Sequence, residues 1–392
     1  MEETLILTGG RVAFSTTDSV QMDLEIRRGC AFYLRSGARG RVLDLSGYLI
    51  LPGLINTHDH LELNLLPRLG NGPYRNATQW ALDIYRPSEP PVKQHLAVPK
   101  PLRLLWGGIK NLLSGVTTVG HHNPYCPEVF GNGFPVRVVR RMSWAHSIRF
   151  SPDWRSRYLQ RRKNAPFIIH AGEGTDEEAK NELEILECSE ALGPTTVIVH
   201  GVAFSREEIA LMEKRKASLV WCPSSNLFTL GRTVDPQVFK SRIPIALGTD
   251  AAITAAGDMY DELSIASGMV SPARLYGMVT SEAAAVLKLP STYGSIQNGA
   301  SADLVVLRDI GASPADTLLR AHPEMVIAGG RIRLLSLDMA THLRLTGNPR
   351  LQPIDVENRG RYLLPLDVHA LFQETKQVLG QEIRLAGKAV AA

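Results

Sequence analysis

Short apolar runs recur along this chain, and their character changes with position. In the first fifty residues the runs are brief, extended in composition and separated by glycines, which predicts strands of a small sheet. The predicted strands there are residues 4–8, 23–26, 31–34 and 42–45. Similar runs return near the other end, at residues 302–307, 325–328 and 332–335. The pattern predicts one β-sandwich built from both ends of the chain.

Between these ends, apolar runs alternate with segments of helical periodicity. The runs cover residues 53–57, 116–120, 136–139, 167–169, 196–199, 219–221 and 245–247, and strong helical segments cover 102–113, 176–191 and 207–216. Repeated βα units predict a (β/α)8 TIM-like barrel of the α/β class. The eighth strand must lie between residues 121 and 166, near 142–148. Because this interval is short, we expect a compact or distorted barrel around strands 3 and 4.

The pattern divides the chain into nested domains. We expect a composite β-sandwich from residues 1–51 and 290–366, and a metal-dependent barrel from residues 52–289. Residues 367–392 place apolar side chains at helical spacing, which predicts a C-terminal helix.

Composition restricts the class of protein. The 392 residues are 44% hydrophobic and 21% charged, as in ordinary soluble globular proteins. Forty-three Lys and Arg against thirty-nine Asp and Glu give a net charge of +4, too small to indicate nucleic acid or an anionic membrane as the main partner. The acidic start and the absence of a long apolar run predict a cytoplasmic protein. Its four cysteines form no C-x-x-C pair, so a metal here would use His and carboxylate ligands.

Candidate metal ligands stand at the ends of several predicted barrel strands. His58 and His60 are two residues apart at a strand end, so both side chains point to one face. Three further runs end in His170, His200 and Asp250. The carboxyl ends of barrel strands converge on one mouth, which favours a shared site. His58, His60, His170 and Asp250 offer three nitrogens and one oxygen, a set suited to Zn²⁺ or Fe²⁺.

Six segments, in this order, resemble the amidohydrolase superfamily in its cytosine-deaminase and chlorohydrolase-like branch of mononuclear metal hydrolases. They are PGLINTHDH (52–60), GVTTV (115–119), HAGE (170–173), HGV (200–202), CPSSN (222–226) and LGTD (247–250). The stretch GSIQNGASADLVVL (294–307) resembles the return to the composite β-sandwich of this family.

The resemblance implies roles for particular residues. One divalent metal, Zn²⁺ before Fe²⁺, would be held by His58, His60, His170 and Asp250. Glu173, His200 and Asp250 would then be catalytic, with Glu173 moving a proton to a ring or amide nitrogen. Some relatives of the chlorohydrolase type lack an acid at the position of Glu173, so its presence favours C–N cleavage. A solvent-exposed Glu at the start of an acidic helix is the alternative.

The sequence also departs from the family pattern. Asp59 stands between the two histidines, where alternation points it away from the metal and indicates a structural role. We expect substrate contacts from His121, His122, Asn226 and Trp80, although a packed or capping role for the two histidines is an equal alternative. Residues 137–163 contain nine basic side chains and one acid, which indicates either solvated arginines on helix and loop faces or a surface for an anionic substrate or partner.

The sequence therefore predicts a metal-dependent hydrolase, specifically a hydrolytic deaminase of a nitrogen heterocycle. The alternatives are amide, ester or halide hydrolysis at the same site, and a non-catalytic binding protein on the same fold. The expected partner is a small-molecule substrate, with neither nucleic acid nor a membrane involved. The resemblance implies a homodimer or a higher homo-oligomer.

Overall fold

The first fifty residues form short strands, as their separated apolar runs predict. The computed structural model describes residues 4–392. Its first strands are β1 (Leu5–Thr8), β2 (Arg11–Ala13), β3 (Ser19–Gln21), β4 (Leu24–Arg27), β5 (Cys30–Tyr33), β6 (Arg41–Asp44) and β7 (Tyr48–Pro52). Strands β2 and β3 are additional to the predicted set, and so is β7. Only Gly53 separates it from the next strand, so one continuous apolar run contains two strands in different sheets.

The middle of the chain contains eight strands in parallel ladders. They are β8 (Leu54–Asp59), β9 (Val116–His121), β10 (Arg137–Val138), β11 (Ser143–Ser147), β12 (Phe167–Ala171), β13 (Thr196–His200), β14 (Ser218–Trp221) and β15 (Ile245–Leu247). Helices lie between all of them except at the steps from β9 to β10 and from β10 to β11. The strands form two parallel ladders, ordered β10-β9-β8 and β11-β12-β13-β14-β15. The succession is that of a TIM-type α/β barrel. Strand β11 lies in the interval where the sequence predicts the eighth strand.

The two ladders meet differently at their two sides. Beyond β15, Thr249 N donates to His58 O at 3.0 Å and His60 N donates to Asp250 O at 2.8 Å, which ties the chain to β8. On the other side, no ladder pairs β10 with β11 within residues 4–392. Strand β10 is two residues long and four residues separate it from β11. The irregularity therefore lies between the third and fourth strands of the barrel.

The helices surround these strands and fill the long connection after β8. They are α1 (Ala77–Ile84), α2 (Val92–Ala97), α3 (Lys100–Leu113), α4 (Trp154–Leu159), α5 (Glu177–Cys188), α6 (Arg206–Arg215), α7 (Pro223–Leu230), α8 (Met259–Ala266), α9 (Pro272–Met278), α10 (Ser281–Val286), α11 (Pro314–Arg320), α12 (Leu337–His342) and α13 (Val368–Leu379). Local capping explains several starts: the Asp176 side chain accepts from Ala179 N before α5, and Ser205 forms a capping box with Glu208 at α6. Within residues 4–392, the helices are all too short or too polar to cross a bilayer.

The last quarter of the chain returns to strands. These are β16 (Ala300–Ser301), β17 (Leu304–Arg308), β18 (Pro323–Ala328), β19 (Arg331–Ser336), β20 (Gln352–Val356), β21 (Gly360–Leu364), β22 (Arg384–Leu385) and β23 (Lys388–Ala391). A five-stranded sheet has the order β16-β5-β4-β1-β6, and a ten-stranded sheet has the order β22-β23-β20-β21-β19-β18-β17-β7-β2-β3. Both sheets thus contain strands from both ends of the chain. Leu7 and Ile26 of one sheet share a buried cluster with Ile50 and Val306 of the other.

The C-terminal segment is helical only in its first half. Helix α13 ends at Gly380, whose φ of 65° is left-handed and therefore suits glycine. Beyond it, β22 and β23 form a hairpin, and β23 pairs with β20. The expected helix over residues 367–392 therefore covers residues 368–379, because the glycine ends the helical pattern.

Candidate metal centre and substrate cavity

The carboxyl ends of the barrel strands bring four predicted residues into one buried cluster. His58, His170, His200 and Asp250 each offer a ligand atom, and these atoms all lie within 4.8 Å of one another. The Nε2 atom of His58 lies 3.1 Å from Nε2 of His170 and 3.2 Å from Oδ1 of Asp250. Residues far apart in the chain meet here because parallel strands end at the same edge.

His60 belongs to a second group that overlaps the first. This group consists of His58, His60, His122 and His170. Nε2 of His60 lies 3.6 Å from Oδ1 of Asp250, and its Nδ1 lies 3.2 Å from Nδ2 of Asn123. The structure thus brings together the predicted set His58, His60, His170 and Asp250.

Two residues of the centre have strained backbones. His200 has a φ of 77° and Asp250 a φ of 57°, in the left-handed region that non-glycine residues rarely occupy. Such strain costs about 1–3 kcal/mol per residue and persists only where the surroundings impose it. Here Ser225 Oγ and Thr254 Oγ1 donate to Oδ2 of Asp250 at 2.6 and 2.8 Å. These contacts leave the other oxygen, Oδ1, facing the histidines.

Burial and mutual contact set the protonation states of the cluster. Burial would raise the pKa of Asp250, but its contact with His58 and the nearby histidines holds that pKa well below the usual value. Burial lowers the pKa of His58 to about 4, against the opposing effect of Asp250. Burial and neighbouring histidines also lower the pKa of His170 well below its usual value. The cluster is therefore an ionised carboxylate facing neutral imidazoles, which can serve as ligands.

Glu173 stands beside the cluster with the opposite protonation behaviour. It lies two residues beyond β12, its side chain is 12% exposed, and its Oε1 is 3.5 Å from Nε2 of His200. Burial, together with the charge of Asp250, raises the pKa of Glu173 well above its usual value. Glu173 therefore keeps its proton to a higher pH than an ordinary carboxyl group does, beside an ionised Asp250.

His200 is oriented by a side-chain amide. Its Nδ1 lies 2.8 Å from Oδ1 of Asn226, so Nδ1 carries the proton and donates it. Its Nε2 is buried and has no hydrogen-bond partner among the described residues. The free lone pair of His200 therefore faces the centre of the cluster.

The donor set fits a divalent metal ion. Two nitrogen ligands bound at about 2.1 Å in a tetrahedral site lie about 3.4 Å apart, close to the 3.1 Å between Nε2 of His58 and Nε2 of His170. Neutral imidazole nitrogens and an ionised carboxylate oxygen are ligands that zinc accepts. The unprotonated imidazole nitrogens and the carboxylate oxygen can therefore hold a divalent cation together.

A large cavity opens onto the cluster. Its volume is about 730 Å³. The floor is formed by His60, His170, Glu173, His200 and Asp250. The walls are mostly apolar and include Leu63, Leu66, Trp80, Ile84, Phe150 and Ile253. Several of these belong to the connection between β8 and α3, so this long loop encloses the space above the floor.

Of the four predicted substrate contacts, one lines this cavity. Trp80 does so, and its Nε1–H donates to Leu69 O at 2.8 Å. His121, His122 and Asn226 are absent from the cavity wall and are at most 3% exposed. Asn226 lies behind His200, and His121 lies against Glu62, with Nε2 3.6 Å from Oε2. These three side chains are buried against other residues of the chain and do not line the cavity.

Two residues near the centre lie outside the sequence prediction. His146 on β11 lines the cavity, with its ring 4.7 Å from that of His170. Lys110 on α3 is 1% exposed and lies beneath Asp59. The sequence does carry a signal for Lys110, since it is the one charged residue in the apolar run 104–113. Asp59 points to it and away from the cluster, as strand alternation predicts.

Three arginines of the basic segment 137–163 make contacts with other residues of the chain. Arg137 pairs with Asp303, and Arg157 Nε lies 2.8 Å from Asp153 Oδ2. The guanidinium of Arg161 lies 3.7 Å from the centre of the Tyr158 ring. These three arginines therefore have partners within the chain.

Comparison with known proteins agrees with the fold. The amidohydrolase family model matches residues 146–333. A 5-methylthioadenosine/S-adenosylhomocysteine deaminase of Haloquadratum walsbyi is 25% identical over 434 aligned positions, covering 91% of this chain and 95% of that protein.

Two solved structures share the fold at low identity. An adenosine deaminase from Xanthomonas campestris with bound zinc has a TM-score of 0.68 and 17% identity, covering 95% of this chain and 97% of that one. An atrazine chlorohydrolase from Arthrobacter aurescens complexed with zinc has a TM-score of 0.66 and 15% identity, covering 96% and 100%.

The fold and the cluster define a βα-barrel protein whose mouth can bind a divalent metal. The amidohydrolase family model matches residues 146–333, and this match confirms the resemblance that the strand-end motifs predict. The prediction of an amidohydrolase-type hydrolase is confirmed with it.

Proposed function

We propose that this chain is a metal-dependent deaminase that hydrolyses the bond between a nitrogen heterocycle and its amino group. The observation that carries the proposal is that Glu173 and Asp250 line one cavity, where burial raises the pKa of Glu173 and the neighbouring histidines, against the effect of burial, lower the pKa of Asp250. Deamination requires an acid for the departing nitrogen and a base for the attacking water. Both groups are present, and they face the same space.

The proposed metal ligands are His58, His60, His170 and Asp250, and the proposed ion is Zn²⁺. A zinc ion bound there would lower the pKa of a water molecule towards 7 and so supply a nucleophile at neutral pH. The geometric support is the approach of the Nε2 and Oδ1 atoms described above. Zinc is proposed before iron because both of the solved structures compared above carry zinc.

The remaining steps belong to side chains of the chain itself. Asp250 is held ionised and accepts a proton from the attacking water. The unpartnered Nε2 of His200 accepts a hydrogen bond and orients that water towards the ring carbon. Glu173 delivers its proton to a ring nitrogen, and Asp250 passes the proton that it took from water to the amino group, which leaves as ammonia. The remaining hydroxyl proton returns to Glu173 as the carbonyl forms. The overall reaction consumes one water and releases one ammonia.

We propose an adenine nucleoside as the substrate class. The relative from Haloquadratum walsbyi is named as a deaminase of 5-methylthioadenosine and S-adenosylhomocysteine, and a compound of that size is compatible with a cavity of about 730 Å³. The apolar walls, including Trp80 and Phe150, suit an uncharged substituent on the sugar.

We propose that the chemistry resides in residues 52–289, supported by a composite sandwich from residues 1–51 and 290–366. The ladder between β7 and β17 supports this division, because it joins the two ends of the chain. The strand β7 that makes this ladder continues through Gly53 into β8, which carries His58. The terminal sheets are therefore suited to hold the first barrel strand in place.

The test is an ammonia-release assay over adenosine derivatives, pyrimidines, pterins and triazines, with zinc measured in the same preparation. We expect about one zinc per chain and ammonia from at least one adenine nucleoside. Zinc-loaded protein that hydrolyses amides or halides without releasing ammonia would overturn the deaminase proposal. Protein that turns over substrate fully without any metal would overturn the metal proposal.

A further inference from the structure

His58 makes a ring-to-ring contact with His122 on the side away from the cavity. The Nδ1 atoms of the two imidazoles lie 3.2 Å apart, and both side chains are fully buried. Two ring nitrogens at this distance share one proton, so one ring donates and the other accepts. The direction of this hydrogen bond decides which nitrogen of His58 keeps a lone pair.

The second nitrogen of His122 settles the direction. Its Nε2 lies 2.9 Å from the carbonyl oxygen of Ala145 on β11. A carbonyl oxygen only accepts, so Nε2 of His122 carries a proton. A neutral imidazole has one N–H, which leaves Nδ1 of His122 as the acceptor. His58 therefore donates from Nδ1, and its lone pair is on Nε2.

That lone pair points at the proposed metal position. Nε2 of His58 is the atom that lies 3.1 Å from Nε2 of His170 and 3.2 Å from Oδ1 of Asp250. We infer that His122 is a positioning residue, which accepts the Nδ1 proton of His58 and so fixes His58 in the tautomer that can bind a metal through Nε2. The inference rests on the proposed metal centre, and it replaces the predicted substrate contact of His122.

The same residue also connects the two strand ladders. His122 follows β9 and Ala145 lies on β11, on either side of the place where β10 and β11 lack a ladder. The hydrogen bond from Nε2 of His122 to Ala145 therefore spans this irregular part of the barrel. An orienting partner for a ligating histidine is a common requirement of metal sites, and its loss typically costs 10- to 100-fold in affinity.

Two amide variants separate the two hydrogen bonds of His122. In His122→Asn the amide oxygen can occupy the position of Nδ1 and still accept from His58. In His122→Gln the longer side chain can reach Ala145 but offers no acceptor at the position of Nδ1. Zinc-loaded wild type and both variants are equilibrated with graded concentrations of a chromogenic zinc chelator, and the zinc retained gives the relative affinity. We expect His122→Gln to bind zinc at least about tenfold more weakly than His122→Asn.

His95→Leu is the matched control. His95 is also buried and also places a ring nitrogen, Nδ1, 2.8 Å from a backbone carbonyl, that of Pro91, but it makes no ring contact with the cluster. We expect its zinc affinity to stay within about twofold of wild type. Equal affinities of the Asn and Gln variants, or the reverse order, would overturn the inference.

Cobalt substitution distinguishes positioning from direct ligation. If His122 acts through His58, the visible spectrum of cobalt-loaded His122→Asn matches that of wild type, because the ligands are unchanged. A spectrum that shows the loss of a ligand would overturn the inference. A wild-type protein that retains no zinc would instead contradict the proposed metal centre.

Discussion

The Nζ atom of Lys110 lies 2.8 Å from Oδ2 of Asp59, and both side chains are buried. Asp59 stands between His58 and His60, so this ion pair lies directly beneath the cluster. Lys110 also donates to Asn64 Oδ1 at 3.0 Å. The backbone that carries both histidines is therefore anchored from below, which is the kind of support that precise ligand geometry requires.

Replacing Lys110 should destabilise the protein. In Lys110→Met the carboxylate of Asp59 stays buried without its cation, and breaking a buried pair in this way costs about 3–5 kcal/mol. Denaturant unfolding followed by circular dichroism measures the change in the free energy of unfolding. Arg361→Met, which breaks an exposed pair with Asp355, is the control and should cost less than about 1 kcal/mol.

A double variant tests the cause. Asp59→Asn in the Lys110→Met background removes the unpaired charge, so it should recover part of the lost stability. A double variant less stable than Lys110→Met alone would show that the unpaired charge is not the source of the loss.

The grouping of residues from the strand ends could be predicted from the sequence by a simple geometric rule. Parallel strands of a barrel end on one side, so His58, His170, His200 and Asp250 were expected to meet, and they do. The rule needs only the period of the apolar pattern and the order of the elements.

Contacts that depend on packing between elements were not predictable in this way. Lys110 meets Asp59 because α3 packs against β8 in a particular register, and His122 meets His58 because β9 pairs with β8 in a particular register. Neither sequence spacing nor periodicity gives these registers. For the same reason His122 and Asn226 were expected at the substrate, whereas their side chains contact His58 and His200.

Replacing Glu173 should remove catalysis and leave the metal. We expect Glu173→Gln to lower kcat by about 10²- to 10⁴-fold, the range typical of a general acid or base, because an amide cannot deliver the proton. Ammonia release and zinc content are measured on one preparation. Glu177→Gln, an exposed acid in the first turn of α5, is the control and should keep full activity. Full activity of Glu173→Gln would contradict the role proposed for this residue.

Replacing Trp80 should weaken substrate binding more than turnover. The indole forms part of the apolar cavity wall, so Trp80→Ala should raise KM at least about tenfold and change kcat little, as for an interaction made equally in the ground and transition states. Steady-state kinetics with an adenine nucleoside measure both. Trp80→Phe should recover most of the loss, and Phe14→Ala, an exposed aromatic outside the cavity, should have no effect. A fall in kcat with unchanged KM would contradict this prediction.

The raised pKa of Glu182 should make the stability of the protein depend on pH. Burial raises its pKa to about 8, against the opposing hydrogen bond from Gly172 N, whereas the unfolded value is 4.5. Between these values the native state binds more protons than the unfolded state, so stability falls as the pH rises from about 4.5 to about 8. Glu182→Gln keeps an acceptor for Gly172 N but cannot ionise. We therefore expect its melting temperature to exceed that of wild type by an amount that grows from pH 5 to pH 8. Glu184→Gln, at an exposed position of the same helix, should follow the wild-type curve, and a constant offset for Glu182→Gln across this range would contradict the prediction.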